Sequence, residues 1–168
     1  MKIKTSRFGT IEVAEEEFIY IKGAILGFER LTRFVLLIRD DRNPLWWLQA
    51  VDDPAVAFVV VNPRLIKRDY DPPVYESELE FLDIRDKDDI ALLAIVTIRS
   101  NPFRVTANLR APLLINAANR MGNQIVLEEP AYHVQFDILD HRQELQEMGS
   151  EEGKGLERLA KQTCAAPA

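Results

Sequence analysis

Apolar residues fall into short runs at near-even spacing, each ended by a turn-forming residue. That rhythm predicts strands. Residues 3–5 and 10–13 read as two strands around Phe8-Gly9, and residues 18–21, β-branched and aromatic, as a third. Glu15-Glu16-Glu17 fits a surface turn or a short helical piece. Gly23 and Gly27 frame an apolar loop, Ala24-Ile25-Leu26, with Phe28 after it. Residues 34–38, 45–51 and 57–61 are further strands, stopped by a charged turn, by Asp52-Asp53-Pro54 and by Asn62-Pro63. Residues 64–70 add an edge strand, and Asp71-Pro72-Pro73 is a stiff connector. Ser77 caps a short helix over 78–82, with Glu80 at the capping-box position and Leu79 and Leu82 inward. Residues 90–98 form a long buried strand, and Asn101-Pro102 breaks it before a strand over 103–109. A hairpin follows over 106–127. Its turn lies within Asn116–Asn123, and Ile125 and Leu127 share one face while Gln124 and Val126 share the other. Residues 132–136 alternate as a last strand.

Roughly ten short strands with one short helix and no long crossover helices predict an all-β fold. The expected architecture is a small antiparallel β-barrel-like or two-sheet domain over residues 1–139. From residue 140 the strand pattern disappears and Glu, Gly, Ala and Gln increase. Residues 140–168 are expected to be a mobile extension, with a helical turn or two at 156–161.

Composition narrows the class. The chain has 168 residues, 47% hydrophobic and 29% charged, enough for one core. No run approaches the ~20 apolar residues of a spanning helix. Residues 1–5 alternate like a strand and lack the apolar stretch of a signal peptide. The single cysteine, Cys164, has no partner for an internal disulfide, and the expectation is a cytoplasmic protein. The net charge of −6 disfavours a general nucleic-acid binder. It is also uneven. Residues 69–89 hold nine acids against two bases, a net of −7, so the rest of the chain is near neutral at +1. Such a stretch is either a solvated face or a surface that steers a basic partner.

Catalytic chemistry finds little footing. His133 and His141 lack metal-ligand spacing, and no phosphate loop or nucleophile elbow occurs. The expectation is a protein that is not an enzyme and uses no cofactor. Polar residues interrupt the strands at Gln49, Asn108, Arg110, Asn116 and Gln124. They either satisfy backbone groups at turns or face a partner. Pro112 cannot donate to a sheet ladder, which predicts an exposed edge around Arg110. Of Trp46 and Trp47, one is expected inside and the other outward, as an anchor or under a loop. Stacking by either tryptophan would suit the alternative reading, a small barrel that binds single-stranded nucleic acid.

One stretch is specific. Asn108-Leu109-Arg110-Ala111-Pro112-Leu113, then Ile115-Asn116, Arg120, Gly122, Gln124 and Val126-Leu127, resembles the signature of the FliW family of flagellar assembly factors. Thr5, Phe8 and Gly9 also fit, as do residues 25–29 with Phe34, Leu48-Gln49, Ala57-Phe58 and Asn62-Pro63. The chain departs at Ala24, where the family usually has glycine, and at Ala50, where serine is common. The first departure suggests that position 24 does not need positive φ; the second removes a hydroxyl. The resemblance implies a non-catalytic cytoplasmic regulator, monomeric by itself, with chaperone-like binding of flagellin. It also implies binding of CsrA, the RNA-binding repressor of flagellin mRNA translation. The two partners exclude each other, so that export of flagellin frees the protein to capture CsrA. Neither direct nucleic-acid binding nor a membrane role is implied.

Two surfaces are expected to carry these contacts. The acidic stretch with Asp71, Glu76, Glu78 and Glu80, together with the Asp52-Asp53 turn, would meet basic CsrA. The edge at Asn108, Leu109, Arg110 and Pro112, with a groove near Ile95 and Ile98, would hold an amphipathic flagellin segment.

Overall fold

Ile90–Ser100 is the strand on which the sheet is built. In this computed structural model, which describes residues 1–138 and 154–161, it is β7 of eleven strands. Before it come β1 (Lys2–Thr5), β2 (Gly9–Glu12), β3 (Phe18–Ile21), β4 (Arg33–Leu37), β5 (Leu45–Ala50) and β6 (Ala57–Val61). After it come β8 (Phe103–Ala107), β9 (Leu113–Asn116), β10 (Met121–Gln124) and β11 (Phe136–Asp137). The helices are α1 (Pro63–Ile66), α2 (Glu76–Phe81) and α3 (Lys154–Lys161).

One edge of β7 pairs with β6. The other edge is shared. Its first half, Ile90 to Leu93, pairs with β9, and its second half, Val96 to Ser100, pairs with β8. Residues 108–112 bulge out between the two, anchored where Asn108 N–H donates to the Ile95 carbonyl at 2.9 Å. Following the neighbours from β7 through β6, β5, β4, β3, β10 and β9 leads back to β7, which closes a seven-stranded ring. Closure leaves those strands no free edge. The expected antiparallel barrel is found, with one parallel seam where β10 lies beside β3. Strands β8 and β11 extend the sheet beyond the ring.

Alternation explains why these strands are apolar on both faces. Ile19, Ile21, Phe34, Leu36, Trp46, Leu48, Val60, Ala91, Leu93, Leu113 and Ile115 point into the ring and form its core. The intervening residues point out and are covered. Phe18, Val35 and Leu37 lie under Ile3, Ile11 and Val13 of the β1–β2 hairpin. Val61, Leu92, Ala94 and Leu114 lie in a third cluster with Ile66, Tyr70, Leu82, Leu109, Ile125 and Leu127. Gly122 of β10 faces the interior where the seam is tight. A Cβ there would stand 3.0 Å from Ile21 Cδ1 and 3.2 Å from Ile115 Cγ1.

Four local expectations are corrected. Residues 64–70 are not an edge strand: Asn62 Oδ1 accepts from Arg64 N–H at 3.1 Å, Pro63 starts α1, and Tyr70 is buried. The cap of α2 is Tyr75 and not Ser77; Glu78, two residues before Glu80, accepts from Tyr75 N–H at 2.7 Å. Residues 132–135 do not pair as a strand; of the expected 132–136 only Phe136, with Asp137 after it, joins β8. Ala24 does adopt positive φ, at 91°. The helical turns expected at 156–161 are α3, whose Leu156 and Leu159 are buried in the ring's core cluster. Residues 139–153 and 162–168, which include the rest of the extension expected from residue 140, lie outside the described residues.

Candidate functional site

The loop between β3 and β4 crosses one end of the ring. Phe28 N–H donates to the Ile25 carbonyl at 2.8 Å, and Gly27 takes φ 88° to close that turn. Ile25 drops into the core, while Leu26 stays 67% exposed. Phe28 meets Phe58 edge-on with centroids 4.9 Å apart. Gln124 fixes the loop to the central hairpin: its Oε1 accepts from Leu26 N–H at 2.9 Å, and its Nε2 donates to the Ala111 carbonyl at 3.1 Å.

Beside this loop lies a groove of about 290 Å³. Leu26, Phe28, Phe58 and Ile95 give it apolar walls, and Thr97, Arg99 and Asn108 give it polar ones. Val134, itself exposed, lines the far side. An exposed apolar trough with a polar rim suits an amphipathic peptide segment.

The expected edge residues divide around this groove. Ile95 and Asn108 line it. Ile98 points to the opposite face of β7 and is 51% exposed there. Leu109 is fully buried, where its carbonyl accepts from the Tyr70 hydroxyl at 2.7 Å. Pro112 is buried, and its carbonyl accepts from Ile125 N–H at 3.0 Å. Arg110 Nε donates to the Leu127 carbonyl at 3.1 Å, and Leu127 N–H donates to the Arg110 carbonyl at 2.8 Å. The exposed edge expected at 108–112 is therefore absent. The chain at 125–127 covers it, because a proline removes a donor but leaves a carbonyl that still seeks one.

The acids divide as well. Asp52 is ion-paired with Arg33, whose hydrogen bond holds the Asp52 carboxyl below the usual carboxylate range. Asp53 Oδ1 accepts from Ala55 N–H at 3.0 Å and shapes its own turn. Asp71 lies 3.8 Å from Arg64, with a side chain 91% exposed. Glu78 turns back to accept from Tyr75 N–H at the start of α2. Glu76 and Glu80 remain, exposed on α2 with no ion-pair partner among the described residues. A second cleft, of about 330 Å³, runs between this helix and the hairpin, lined by Tyr75, Glu78, Ile125 and Leu127. Residues 124–127 thus touch both surfaces, the groove through Gln124 and the acidic cleft through Ile125 and Leu127.

The remaining polar positions are structural. Asn116 Nδ2 donates to the Leu82 carbonyl at 2.9 Å. Gln49 Nε2 donates to the carbonyls of Ala50 and Val56 at 3.0 and 3.1 Å. Arg120 is buried and donates to the carbonyls of Phe18 and Glu17. Of the tryptophans, Trp46 is buried inside the ring. Trp47 faces out under Phe8, 5.7 Å away edge-on, and under the Arg7 guanidinium at 4.6 Å. Trp46 offers no face for base stacking, and the Arg7 guanidinium lies over the ring of Trp47. The groove residues missed from the sequence, Leu26, Phe28, Thr97, Arg99 and Val134, come from segments far apart in the chain. The one sequence signal was an apolar loop framed by glycines.

Comparison with known proteins agrees with this geometry. A family model described as FliW protein matches residues 2–138. The flagellar assembly factor FliW of Syntrophus aciditrophicus (strain SB) is 47% identical over 143 residues, covering 85% of this chain and 90% of that protein. The flagellar assembly factor FliW of Alkaliphilus metalliredigens (strain QYMF) is 39% identical over 158 residues, 94% of this chain and 98% of that one. A crystal structure of the flagellar assembly factor FliW matches with a TM-score of 0.74 at 34% identity, over 82% of this chain and 96% of that chain.

Proposed function

The chain belongs to the FliW family of flagellar assembly factors, and from that premise we propose that it holds either flagellin or CsrA in the cytoplasm, one at a time and without catalysis. The observation that carries the reading is the pair of surfaces joined by residues 124–127. The groove at Leu26, Phe28 and Ile95 suits an apolar flagellin segment. The exposed acids Glu76 and Glu80 suit basic CsrA. Exclusion requires each partner to lower the other's affinity by the same factor. Residues 124–127 line the groove through Gln124 and, through Ile125 and Leu127, the cleft beside Glu78 on α2, the helix that carries Glu76 and Glu80; this gives that coupling a physical route. Flagellin leaving by export then frees the protein to capture CsrA and lift repression of flagellin mRNA.

The test is binding of purified flagellin and CsrA, singly and in competition. Leu26→Asp should weaken flagellin at least tenfold and leave CsrA unchanged. Glu76→Lys with Glu80→Lys should do the reverse. A three-way complex with undiminished affinities overturns the reading. If CsrA binds the charge-reversed variant normally, α2 is not its surface.

A further inference from the structure

The other end of the ring is closed by α3. Its Leu156 and Leu159 are 3% and 0% exposed and share a cluster with Trp46, Ala91, Leu113 and Ile115. Ala160 packs against the same cluster. On the outer side Arg158 forms an ion pair with Asp89, in the turn that leads into β7. The fit is tight: a Cβ on Gly155 would stand 2.3 Å from the Ile90 carbonyl oxygen. The helix nevertheless stands apart from the rest of the fold in sequence. It lies beyond residues 2–138 that the family model matches, and fifteen residues, 139–153, join it to the body. Extended, such a connector spans about 50 Å, ample for the helix to leave without disturbing any strand.

We propose that this end of the barrel is a receptor for a short amphipathic helix, and that α3 is its built-in, displaceable occupant. The receptor takes a helix with two leucines three apart and an arginine between them that reaches Asp89. A partner protein presenting that pattern competes with α3 for the same apolar end. The tether gives α3 a high effective concentration. Against this, ordering an eight-residue helix costs more conformational entropy than its two buried leucines alone offset, so docking also draws on the helix's own hydrogen bonds, the Ala160 contact and the Arg158–Asp89 pair, and its net margin is small. A marginal internal occupant sets a threshold: it excludes weak helices and yields to strong ones.

The experiment uses the full chain and Gly155→Ala. Alanine favours helix more than glycine does, so a looser α3 in this variant reports a broken fit and not a weaker helix. Amide exchange at 154–161 should rise at least tenfold while exchange in the barrel strands stays unchanged. A synthetic peptide spanning 151–163 should bind the variant at least tenfold tighter than the wild type, read by Trp46 emission. Three results overturn the proposal: unchanged exchange at 154–161, barrel amides that exchange together with α3, or equal peptide binding to both chains. Leu159→Asp in the full chain gives the same readouts if Gly155→Ala does not accumulate. Because the probe is the chain's own helix, failure here leaves the flagellin and CsrA reading intact, and the reverse also holds.

Discussion

Ala24 and Gly27 sit three residues apart in one loop with nearly the same backbone angle, φ 91° and 88°. An L side chain in the left-handed region costs about 1–2 kcal/mol. A Cβ added at Gly27 meets nothing within 4 Å, so Gly27→Ala reads that cost without a clash. Alanine also narrows the unfolded ensemble, which returns about 0.4–1 kcal/mol. The net loss is about 1 kcal/mol. Ala24→Gly runs the exchange backwards, less whatever contact its half-buried methyl makes, for which about 0.8 kcal/mol is the ceiling. A gain of about 0.5 kcal/mol remains. In a domain of this size 1 kcal/mol moves Tm by about 2–4 °C. Thermal unfolding by circular dichroism should therefore show Gly27→Ala lower by about 2–4 °C and Ala24→Gly higher by about 1–2 °C, with the double variant between them. If both single variants shift in the same direction, backbone angle does not govern this loop and the reasoning is refuted.

Two further outcomes follow from the ring. Gly122→Val should cost about 1–3 kcal/mol in urea unfolding, and Gly122→Ala less, since the added Cβ already crowds Ile21, Ile115 and the Leu114 carbonyl; a valine variant of wild-type stability would contradict the tight seam. The Arg33–Asp52 pair makes a small pH-dependent contribution, because the Asp52 side chain is 44% exposed. The folded pKa of Asp52 is lowered, so its contribution is present above the unfolded value near 4 and disappears as pH falls through the folded value. The Tm gap between wild type and Asp52→Asn should hold from pH 7 to about 5 and shrink below about 4; a constant gap would mean that the ion pair contributes nothing.

The barrel was legible because its strands are buried on both faces. Phe34 and Leu36 fill the ring while Val35 and Leu37 lie under the first hairpin, which yields an unbroken apolar run with turn residues at both ends. The errors arose where one signal has two meanings. Asn62-Pro63 ends β6, and it is also a helix cap followed by a first-turn proline. Pro112 lacks a donor, yet neighbouring chain covers it. Residues 132–136 alternate, but alternation cannot supply a pairing partner. The groove was the least legible feature. Leu26, Ile95 and Val134 meet only because the ring closes, and no local pattern records closure.

The parallel seam has a consequence for synthesis. Strand β3 is complete by residue 21, but its neighbour β10 begins at Met121. A chain emerging from the ribosome therefore carries a sheet with one bare side for a hundred residues of translation, open to pairing with other nascent chains. The hairpin that carries the family signature is also the stave that seals the cask. Any stop codon ahead of Gln124 should yield not a smaller working protein but sticky, short-lived fragments.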